Sequence, residues 1–446
     1  MSKLPAGPSM AAVLLATLRP MPDHTSTLRA WADRYGDPFT LRTPTGPVVL
    51  TTDPEAIRTL YTADPETFVA AIPDALEPMI GANSLLLTSG PRHTAARKLL
   101  APPFHGARMR AYGRLMRDAT LRWTSRLTPG ARFSAQELAQ DISLEVILRA
   151  VFGVTTPEQA ERFHGAVLAM IEAFRPSLVL LPSLRRLGDL GPWGNYRRKR
   201  RVFEDLVFSE IAARRADSGE REDILSLLVA ARHEDGSPLG DREILDHLVT
   251  MVVAGHETTA IAIAWACYGL HHEPATLARL RADVDALGQD PEPDTVARIP
   301  YLEAVWQEAL RLWPMAIALG RKLARPFTLK GHALPAGVHV AVCMLLHFRD
   351  DLYPEPLAFR PERFLAHSFS PFEYIPFGGG ARRCIGAAFA AYEMKVVLAT
   401  LLSRFELRLA IDRPPRPVLR AGTMGPEGGV PMIFVGPRQP AERPAT

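Results

Sequence analysis

Helical periodicity covers most of residues 54–310, and it limits the folds that this sequence can adopt. Apolar residues recur there at the spacing of one helix face, and Pro, Gly and Asp interrupt the pattern at intervals. The longest unbroken segment is Asp241–His272. Its expected N-cap is Asp241, Glu243 suits the first turn, and Pro274 follows the end. Further helices are predicted at 27–35, 138–152, 158–174, 200–215, 223–232 and 384–405.

Short strands are predicted on either side of this helical region. Residues 39–41 and 48–52 alternate in polarity about a turn at 44–46, which predicts a small hairpin. After Pro314 the texture of the sequence changes from helical to extended. Strands are expected there at Phe327–Leu329, His332–Leu334 and 338–344.

The chain shows no internal repeat and no linker long enough to separate domains. We therefore predict a fold that is mainly α with a small β portion, built as one domain over residues 26–436. A Pro-rich, irregular segment is expected at 1–25, a Pro-rich loop at 353–376 and a loose tail at 437–446.

Composition narrows the function classes. Of the 446 residues, 47% are hydrophobic and 22% charged, which is typical of a globular protein with a large core. The net charge of +4 is too small to suggest nucleic-acid binding. Only three cysteines occur, which excludes a disulfide scaffold or a four-thiolate metal site and fits a reducing cytoplasm. Cys267 and Cys343 have apolar neighbours and are expected to pack in the core, and Met10–Leu18 is too short for a membrane span.

A glycine-rich segment around the third cysteine, residues 377–386, is the most informative motif. It fits the pattern F-x-x-G-x-R-x-C-x-G, in which the cysteine is Cys384. Glycine lets the backbone turn tightly, approach a flat ligand and direct peptide N–H groups at a sulfur atom. Such donors, the N-terminus of the following helix and Arg382 are expected to lower the pKa of the thiol and favour the thiolate.

This segment closely resembles the haem-binding loop of the cytochrome P-450 superfamily, of the soluble bacterial type. The resemblance implies haem b as cofactor, with the thiolate of Cys384 as the proximal ligand of the iron. It also places Phe377, Arg382 and Gly386 against the haem. A thiolate pushes electron density onto iron and favours O–O cleavage, which is monooxygenase chemistry. The implied fold is that of the superfamily, with haem between the long central helix and the helix after the cysteine loop.

A charge network is implied by two further motifs that follow the order of the superfamily. Glu308 and Arg311 form an E-x-x-R pair, and their spacing puts both side chains on one helix face. Arg363 lies in a Pro-Glu-Arg-Phe sequence between that pair and Cys384. The resemblance gives these three residues the task of bracing the haem loop. Because buried charges need complete pairing, loss of one partner should be far worse than loss of a surface ion pair.

Residues 254–259 match the oxygen-activation segment of the superfamily, A-G-x-[DE]-T-[TS], half-way along the longest helix. The resemblance makes Thr258 and Glu257 the catalytic residues, which stabilise iron-bound oxygen and relay protons. Thr258 can also bend the helix by donating to a preceding carbonyl, and Gly255 is expected to bring the helix close to the haem. His256 occupies a variable position in the superfamily and receives no catalytic role.

Haem propionates need cationic partners. His93 and Arg97 are four residues apart on one predicted helix and match the family's pair at this position. Arg382 lies within the cysteine loop, and Arg321 lies ahead of the predicted strands. We assign all four residues to the propionates on the basis of the resemblance.

Apolar segments are expected at the substrate pocket by their position in the superfamily. The pocket residues are Leu85, Leu87, Met251, Val252, Ala254, Ala316, Ile317, Ala318 and Leu319. Residues 178–181 and 184–193 suit a mobile lid, and Arg175 or Arg185 could meet a carboxylate. The pocket favours a hydrophobic substrate held by shape, with fatty acids first and terpenoid, steroid or polyketide-like compounds next.

Electrons should come from another protein, because the chain contains no flavin or iron–sulfur domain. Residues 78–117 contain no acid but seven bases: Arg92, Arg97, Lys98, Arg108, Arg110, Arg114 and Arg117. We expect some of these to form a face that attracts an acidic ferredoxin or flavodoxin, which in turn needs a reductase. The second basic run, 197–201, is expected to be a solvated helix face.

Two other functions stay open. A peroxide-driven peroxygenase or isomerase would need no redox partner, and a non-catalytic haem protein would only bind ligands. Relatives with peroxide chemistry typically lack the acid–alcohol pair, which is present here as Glu257 and Thr258. We therefore expect an O₂-dependent monooxygenase, monomeric and cytoplasmic, without nucleic-acid partner or membrane anchor.

Overall fold

Helices form most of the structure, a computed structural model that describes residues 4–18, 24–71, 76–104, 106, 108–174, 178, 185, 188–216, 221, 223–288, 290–420 and 423–438. The first helices are α1 Met10–Leu18, α2 His24–Tyr35, α3 Pro54–Thr62, α4 Glu77–Ile80, α5 Gly90–Leu100, α6 Arg108–Thr124, α7 Ala135–Phe152 and α8 Pro157–Ala173. The later ones are α9 Gly191–Ala216, α10 Ile224–Ala230, α11 Asp241–His272, α12 Pro274–Asp285, α13 Pro293–Val296, α14 Pro300–Leu312, α15 Glu362–Ala366 and α16 Ala387–Arg404.

The strands form four small sheets. They are β1 Phe39–Thr43, β2 Gly46–Thr51, β3 Phe68–Val69, β4 Arg132–Ser134, β5 Ala318–Leu323, β6 Phe327–Leu329, β7 His332–Leu334, β8 His339–Cys343, β9 Phe405–Leu409, β10 Pro417–Arg420, β11 Thr423–Pro426 and β12 Pro431–Pro437. The largest sheet has the order β1-β2-β8-β5-β3, and only its β2–β8 pair is parallel. A second sheet has the order β4-β12-β9, and the other two are the hairpins β6–β7 and β10–β11.

The centre of the core lies where α7, α11 and α16 meet. Ile142 of α7, Ile263 of α11 and Val397 of α16 are at most 1% exposed and surround one small void. Burial of such side chains is the main favourable contribution to folding. The helix after the cysteine loop is thereby anchored to the long central helix, and the predicted fold class, mainly α with small sheets, is confirmed.

Helix α11 has the predicted bounds, but its start differs in detail. Gly240 is the N-cap without a side-chain hydrogen bond, so the prediction of Asp241 as N-cap is wrong. Asp241 lies in the first turn instead, where a carboxylate interacts favourably with the helix dipole. Among the described helices α11 alone is long and apolar enough to cross a membrane, and 72% of that apolar window is buried in the protein.

The ends of the chain are more regular than the sequence predicts. Helix α1 lies within the segment 1–25 that was expected to be irregular, because the prolines of this segment lie before or after the helix and none interrupts it. The strands β9 to β12 also lack a sequence signal. β12 contains Pro431, Gly436 and Pro437, residue types that are depleted in strands, yet it pairs with both β4 and β9. The tail 439–446 lies outside the described residues.

Candidate active site

The cysteine loop packs closely against helix α3. Gly378 and Gly380 have φ angles of 66° and 62°, which side chains rarely adopt. A Cβ atom at Gly379 would overlap the ring of Tyr61, and one at Gly380 would overlap the Tyr61 carbonyl. Both positive φ and close packing therefore require glycine here, as the motif predicts.

Cys384 combines an accessible side chain with a desolvated thiol. It is the only cysteine of the three with an exposed surface. Burial of the thiol nevertheless raises its pKa, while the Gly386 N–H, Arg383 and Arg97 lower it in part. The pKa of the Cys384 thiol is therefore raised overall, whereas the sequence predicts that it is lowered. Accessibility together with desolvation places the sulfur in a recess of the protein.

Two guanidinium groups share the carboxylate of Glu308. Arg311 donates to it from Nε at 2.6 Å and from Nη2 at 2.9 Å, and neither residue has any exposed surface. Arg363 donates from Nε to Glu308 Oε1 at 3.0 Å. The three residues predicted as the brace are thus in direct contact. Such complete pairing is what a buried carboxylate requires.

The network continues to the cysteine loop. Arg311 Nη1 donates to the His347 carbonyl at 2.7 Å. His347 Nε2 accepts from the N–H of Ile375 at 3.1 Å, two residues before Phe377. Burial, reinforced by Arg311, lowers the pKa of His347 to about 3, so the ring is neutral and its Nε2 can accept. Tyr374 adds a second link, since its hydroxyl donates to the Gln307 carbonyl at 2.9 Å.

Helix α11 opens to solvent half-way along its length. Ala254 is exposed although its neighbours Val252 and His256 are buried. The Thr258 hydroxyl donates to the Ala254 carbonyl at 2.8 Å, so the back-bonding that the sequence suggests is present. An accessible residue in the middle of a buried helix indicates a cavity against this face, and Thr258 lies one turn further along it.

Gly255 and His256 of the oxygen-activation segment pack against the protein instead. A Cβ atom at Gly255 would lie 3.3 Å from Ile147 of α7, so the missing side chain lets α11 pack closely against α7. The expected closeness of Gly255 to the haem stays a prediction. His256 is buried, and its Nδ1 lies 2.8 Å from the Val252 carbonyl. Burial lowers its pKa. Glu257 is half-buried.

Four bases gather beside the cysteine loop. Burial, with Arg382, Arg97 and Arg321 nearby, lowers the pKa of His93 to about 4. Burial and Arg321 likewise lower the pKa of Arg382 to about 10. Arg382 Nη2 donates to the Thr88 carbonyl at 2.5 Å, and Arg321 Nη2 donates to the Gly379 carbonyl at 2.5 Å.

None of these four bases has an ion pair with an acid among the described residues. Like charges that are partly desolvated repel one another unless an anion joins them. The cluster therefore suits a dianionic ligand such as the two propionates of haem. An accessible cysteine lies beside this cluster, and α11 has an open face. The residues present therefore fit haem.

The predicted pocket residues differ in their surroundings. Leu85 and Met251 are buried and Val252 has no exposed surface, whereas Ala254 is open. Ile317 lines a cavity of about 560 Å³ between the ends of α11 and α14 and the β10–β11 hairpin, and the other eight pocket candidates do not line it.

The proposed lid lies largely outside the described residues, as does Arg175. Arg185 is described, and its Nη2 donates to the Leu178 carbonyl at 3.1 Å. The structure also shows a residue that the sequence interpretation missed. Arg200 is buried at 7% exposure, so the prediction of a solvated face for 197–201 is wrong at this position. Tyr196 and Glu204, each four residues away, could have indicated it.

Comparison with known proteins agrees with this geometry. The family model for cytochrome P450 matches residues 5–430. Putative cytochrome P450 135B1 of Mycobacterium tuberculosis is 37% identical over 454 residues, covering 96% of this chain and 90% of the relative. Putative cytochrome P450 137 of the same organism is 34% identical over 409 residues, covering 90% and 83%. A solved structure, retinoic acid-bound cyanobacterial CYP120A1, matches with a TM-score of 0.83 and 25% identity, covering 97% and 99%.

The fold, the cysteine loop and the cationic cluster define a haem-thiolate enzyme, and the sequence matches identify its family. The chain belongs to the cytochrome P450 family. It is therefore a haem-dependent monooxygenase that uses O₂, a substrate and electrons from a redox partner.

Proposed function

We propose that Cys384 ligates the haem iron, that His93, Arg97, Arg321 and Arg382 bind the propionates, and that Phe377 and Gly386 lie against the macrocycle. A cluster of bases that has no acidic partner among the described residues lies beside an accessible cysteine, and this carries the assignment. Bound haem supplies the activation of O₂ and the transfer of one oxygen atom to the substrate.

The chain supplies protons and holds the cysteine loop in place. The Thr258 hydroxyl and the Glu257 carboxyl are our proposed proton carriers on the open face of α11, where Thr258 already makes a hydrogen bond to the Ala254 carbonyl. Glu308, Arg311 and Arg363 keep the cysteine loop in place through the 2.6–3.0 Å contacts of their shared carboxylate. His256 takes no part, because its ring is buried and bonded to its own helix.

We propose a hydrophobic substrate, with fatty acids first and terpenoid, steroid or polyketide-like compounds next. Apolar or small side chains at the proposed pocket, such as Leu85, Met251 and Ala316, offer shape and few hydrogen bonds. The solved relative that matches this chain over 97% of its length is bound to retinoic acid, an elongated isoprenoid acid. That ligand supports the class of apolar carboxylic acids.

We also propose that a ferredoxin or flavodoxin, with its reductase, delivers the electrons in the cytoplasm. Lys98, Arg110 and Arg114 are exposed on α5 and α6, and α6 packs against the helix that follows the cysteine loop. Arg383 is exposed next to Cys384. A cationic surface at this location attracts an acidic protein and orients it toward the sulfur side of the haem.

Titration of the Soret band tests the substrate class. Dodecanoic acid and retinoic acid should each shift the band of the haem-loaded protein, and glycerol should not. Product analysis with O₂, NAD(P)H and a ferredoxin system should then show one added oxygen atom, with little product from hydrogen peroxide alone. A protein that responds only to small polar ligands, or that turns over only with peroxide, would contradict the proposal.

A further inference from the structure

A single buried base interrupts the exposed basic run on α9. Arg200 is 7% exposed, whereas the bases around it are exposed: Arg197, Arg198, Lys199 and Arg201. Removing a guanidinium group from water is costly unless hydrogen bonds and an opposite charge replace its hydration. The contacts of Arg200 therefore show what the burial is for.

Arg200 binds the end of another helix. Helix α4 has only four residues, so its last carbonyl groups have no partners within the helix. Arg200 Nη1 donates to the Pro78 carbonyl and, at 2.5 Å, to the Met79 carbonyl. The Tyr196 hydroxyl donates to the Pro78 carbonyl at 2.6 Å. Two side chains of α9 thus cap α4 from outside, and the charge of Arg200 is favourable at a helix C-terminus.

An ion pair neutralises the charge of Arg200 and connects a third helix. Arg200 Nε donates to Glu204 Oε1 at 2.7 Å. Arg242, in the first turns of α11, donates to the same oxygen at 3.0 Å. Glu204 therefore joins the residue that caps α4 to the central helix.

The residues after α4 are attached to α11 directly. Asp246 Oδ2 accepts from the N–H of Asn83 at 3.1 Å and from its side-chain Nδ2 at 2.9 Å. The Thr250 hydroxyl lies 2.8 Å from the Ser84 hydroxyl. Together with the cap from α9, these contacts fix both ends of residues 77–84, immediately before Leu85.

We propose that Arg200 is a positioning residue for substrate binding. By capping α4 it holds the segment 77–89 against α9 and α11, and it thereby sets how fast a ligand leaves the haem cavity. This inference rests on the proposed function, because it takes Leu85 and Leu87 as part of the cavity wall. Without the cap, the carbonyl groups of α4 must find water, and the wall separates from α9 more often.

The exit of a probe from the haem cavity tests this role in the haem-loaded protein. The probe is 4-phenylimidazole, which ligates the iron from the substrate side and shifts the Soret band, so its dissociation can be followed by stopped flow. Arg200→Met should accelerate dissociation by about tenfold or more, which corresponds to loss of about 1.4 kcal/mol. Arg200→Lys, which keeps one charged donor, should recover part of the effect. Arg201→Met removes the same charge from the exposed side of α9 and should behave as the wild type does.

A milder variant keeps the test decisive if Arg200→Met does not take up haem. Tyr196→Phe removes one of the hydrogen bonds to the Pro78 carbonyl at nearly constant volume and should accelerate dissociation to a smaller degree. A haem-loaded Arg200→Met or Tyr196→Phe protein that releases the probe at the wild-type rate would overturn the proposal, even with a lower melting temperature. The reduced-plus-CO spectrum should be unchanged in every variant. If the wild type itself lacked the thiolate-type CO spectrum, that result would count against the haem-thiolate site and not against the role of Arg200.

Discussion

Glu308 and Arg363, 55 positions apart in the chain, form a 3.0 Å ion pair at a carboxylate that has no exposed surface. Arg311 binds the same carboxylate, so one negative charge faces two positive ones. The excess positive charge meets carbonyl groups, since Arg311 also donates to the Pro356 carbonyl and Arg363 to the Pro354 carbonyl. The loop before the cysteine motif is thus held by charge and by dipoles together.

Loss of one partner should dismantle this network. We expect Glu308→Ala or Arg311→Ala to cost about 3–5 kcal/mol, because an uncompensated charge is left in the interior. Purified variants should be mostly haem-free and prone to aggregation, as measured by the ratio of Soret to protein absorbance. Arg360→Ala is the matched control, since Arg360 pairs with Glu355 at the surface. Near-normal haem content in the Glu308 and Arg311 variants would show that the brace is unnecessary.

Thr258→Ala should uncouple the enzyme without loss of substrate affinity. The variant keeps a small side chain on the open face of α11 but lacks the hydroxyl that we propose as a proton carrier. NAD(P)H consumption should continue while several-fold more of it ends as hydrogen peroxide. Thr259→Ala is the matched control, because Thr259 is buried and bonds the Gly255 carbonyl in the same way. An unchanged peroxide yield per NAD(P)H in Thr258→Ala would contradict the assignment.

Charge reversal on the face near the cysteine loop should slow reduction. Lys98→Glu and Arg110→Glu change exposed residues on α5 and α6, and we expect about tenfold slower reduction by an acidic ferredoxin at low salt. The effect should fade as salt shortens the range of electrostatic attraction. Arg201→Glu makes the same change on α9 and should have little effect. Equal reduction rates for all variants at low salt would argue against this docking face.

Glu393 should make stability depend on pH in an unusual direction. It is 1% exposed on α16, accepts from the Ser143 hydroxyl at 2.6 Å, and burial raises its pKa from 4.5 to about 7. Between these values the unfolded chain ionises while the native carboxyl stays protonated. The free energy of unfolding should therefore fall by up to about 3 kcal/mol as pH rises from 4.5 to 7, and then level off.

Glu393→Gln removes this titration. Its free energy of unfolding, measured in denaturant, should therefore increase relative to that of the wild type as pH rises from 4.5 to 7. A difference between the two proteins that does not change with pH would contradict the raised pKa.

The sequence predicts the parts of the fold that carry strong periodic signals. Helix α11 has the predicted bounds because its apolar period continues over 32 residues between clear breakers. The strand β12 is missed because its prolines and glycine give no strand signal, and its pairing with β4 and β9 depends on distant residues. Tertiary contacts, and not local sequence, therefore determine that β12 is a strand.

The candidate site also has parts that the sequence predicts and parts that only the fold shows. Motif spacing puts Glu308 and Arg311 on one helix face, but only the folded chain brings Arg363 to the same carboxylate. Arg200 and Arg201 look alike in a run of bases. Tyr196 and Glu204 at helical spacing favour Arg200, but its binding to the carbonyl groups at the end of α4 appears only in the fold. Resemblance to a family supplies residue roles, whereas the contacts of Arg200 with α4 appear only in the folded structure.

Ligation of the haem iron by Cys384 is the central claim, and the reduced-plus-CO spectrum of Cys384→Ser tests it most directly. The substitution replaces the accessible thiol with a hydroxyl that is far less acidic and cannot act as a thiolate. We predict that the variant loses the thiolate-type CO spectrum and all oxygenase turnover, even where it retains haem. Cys343→Ser, at a buried cysteine, should keep that spectrum in whatever fraction folds. An unchanged thiolate-type spectrum in Cys384→Ser would contradict the account.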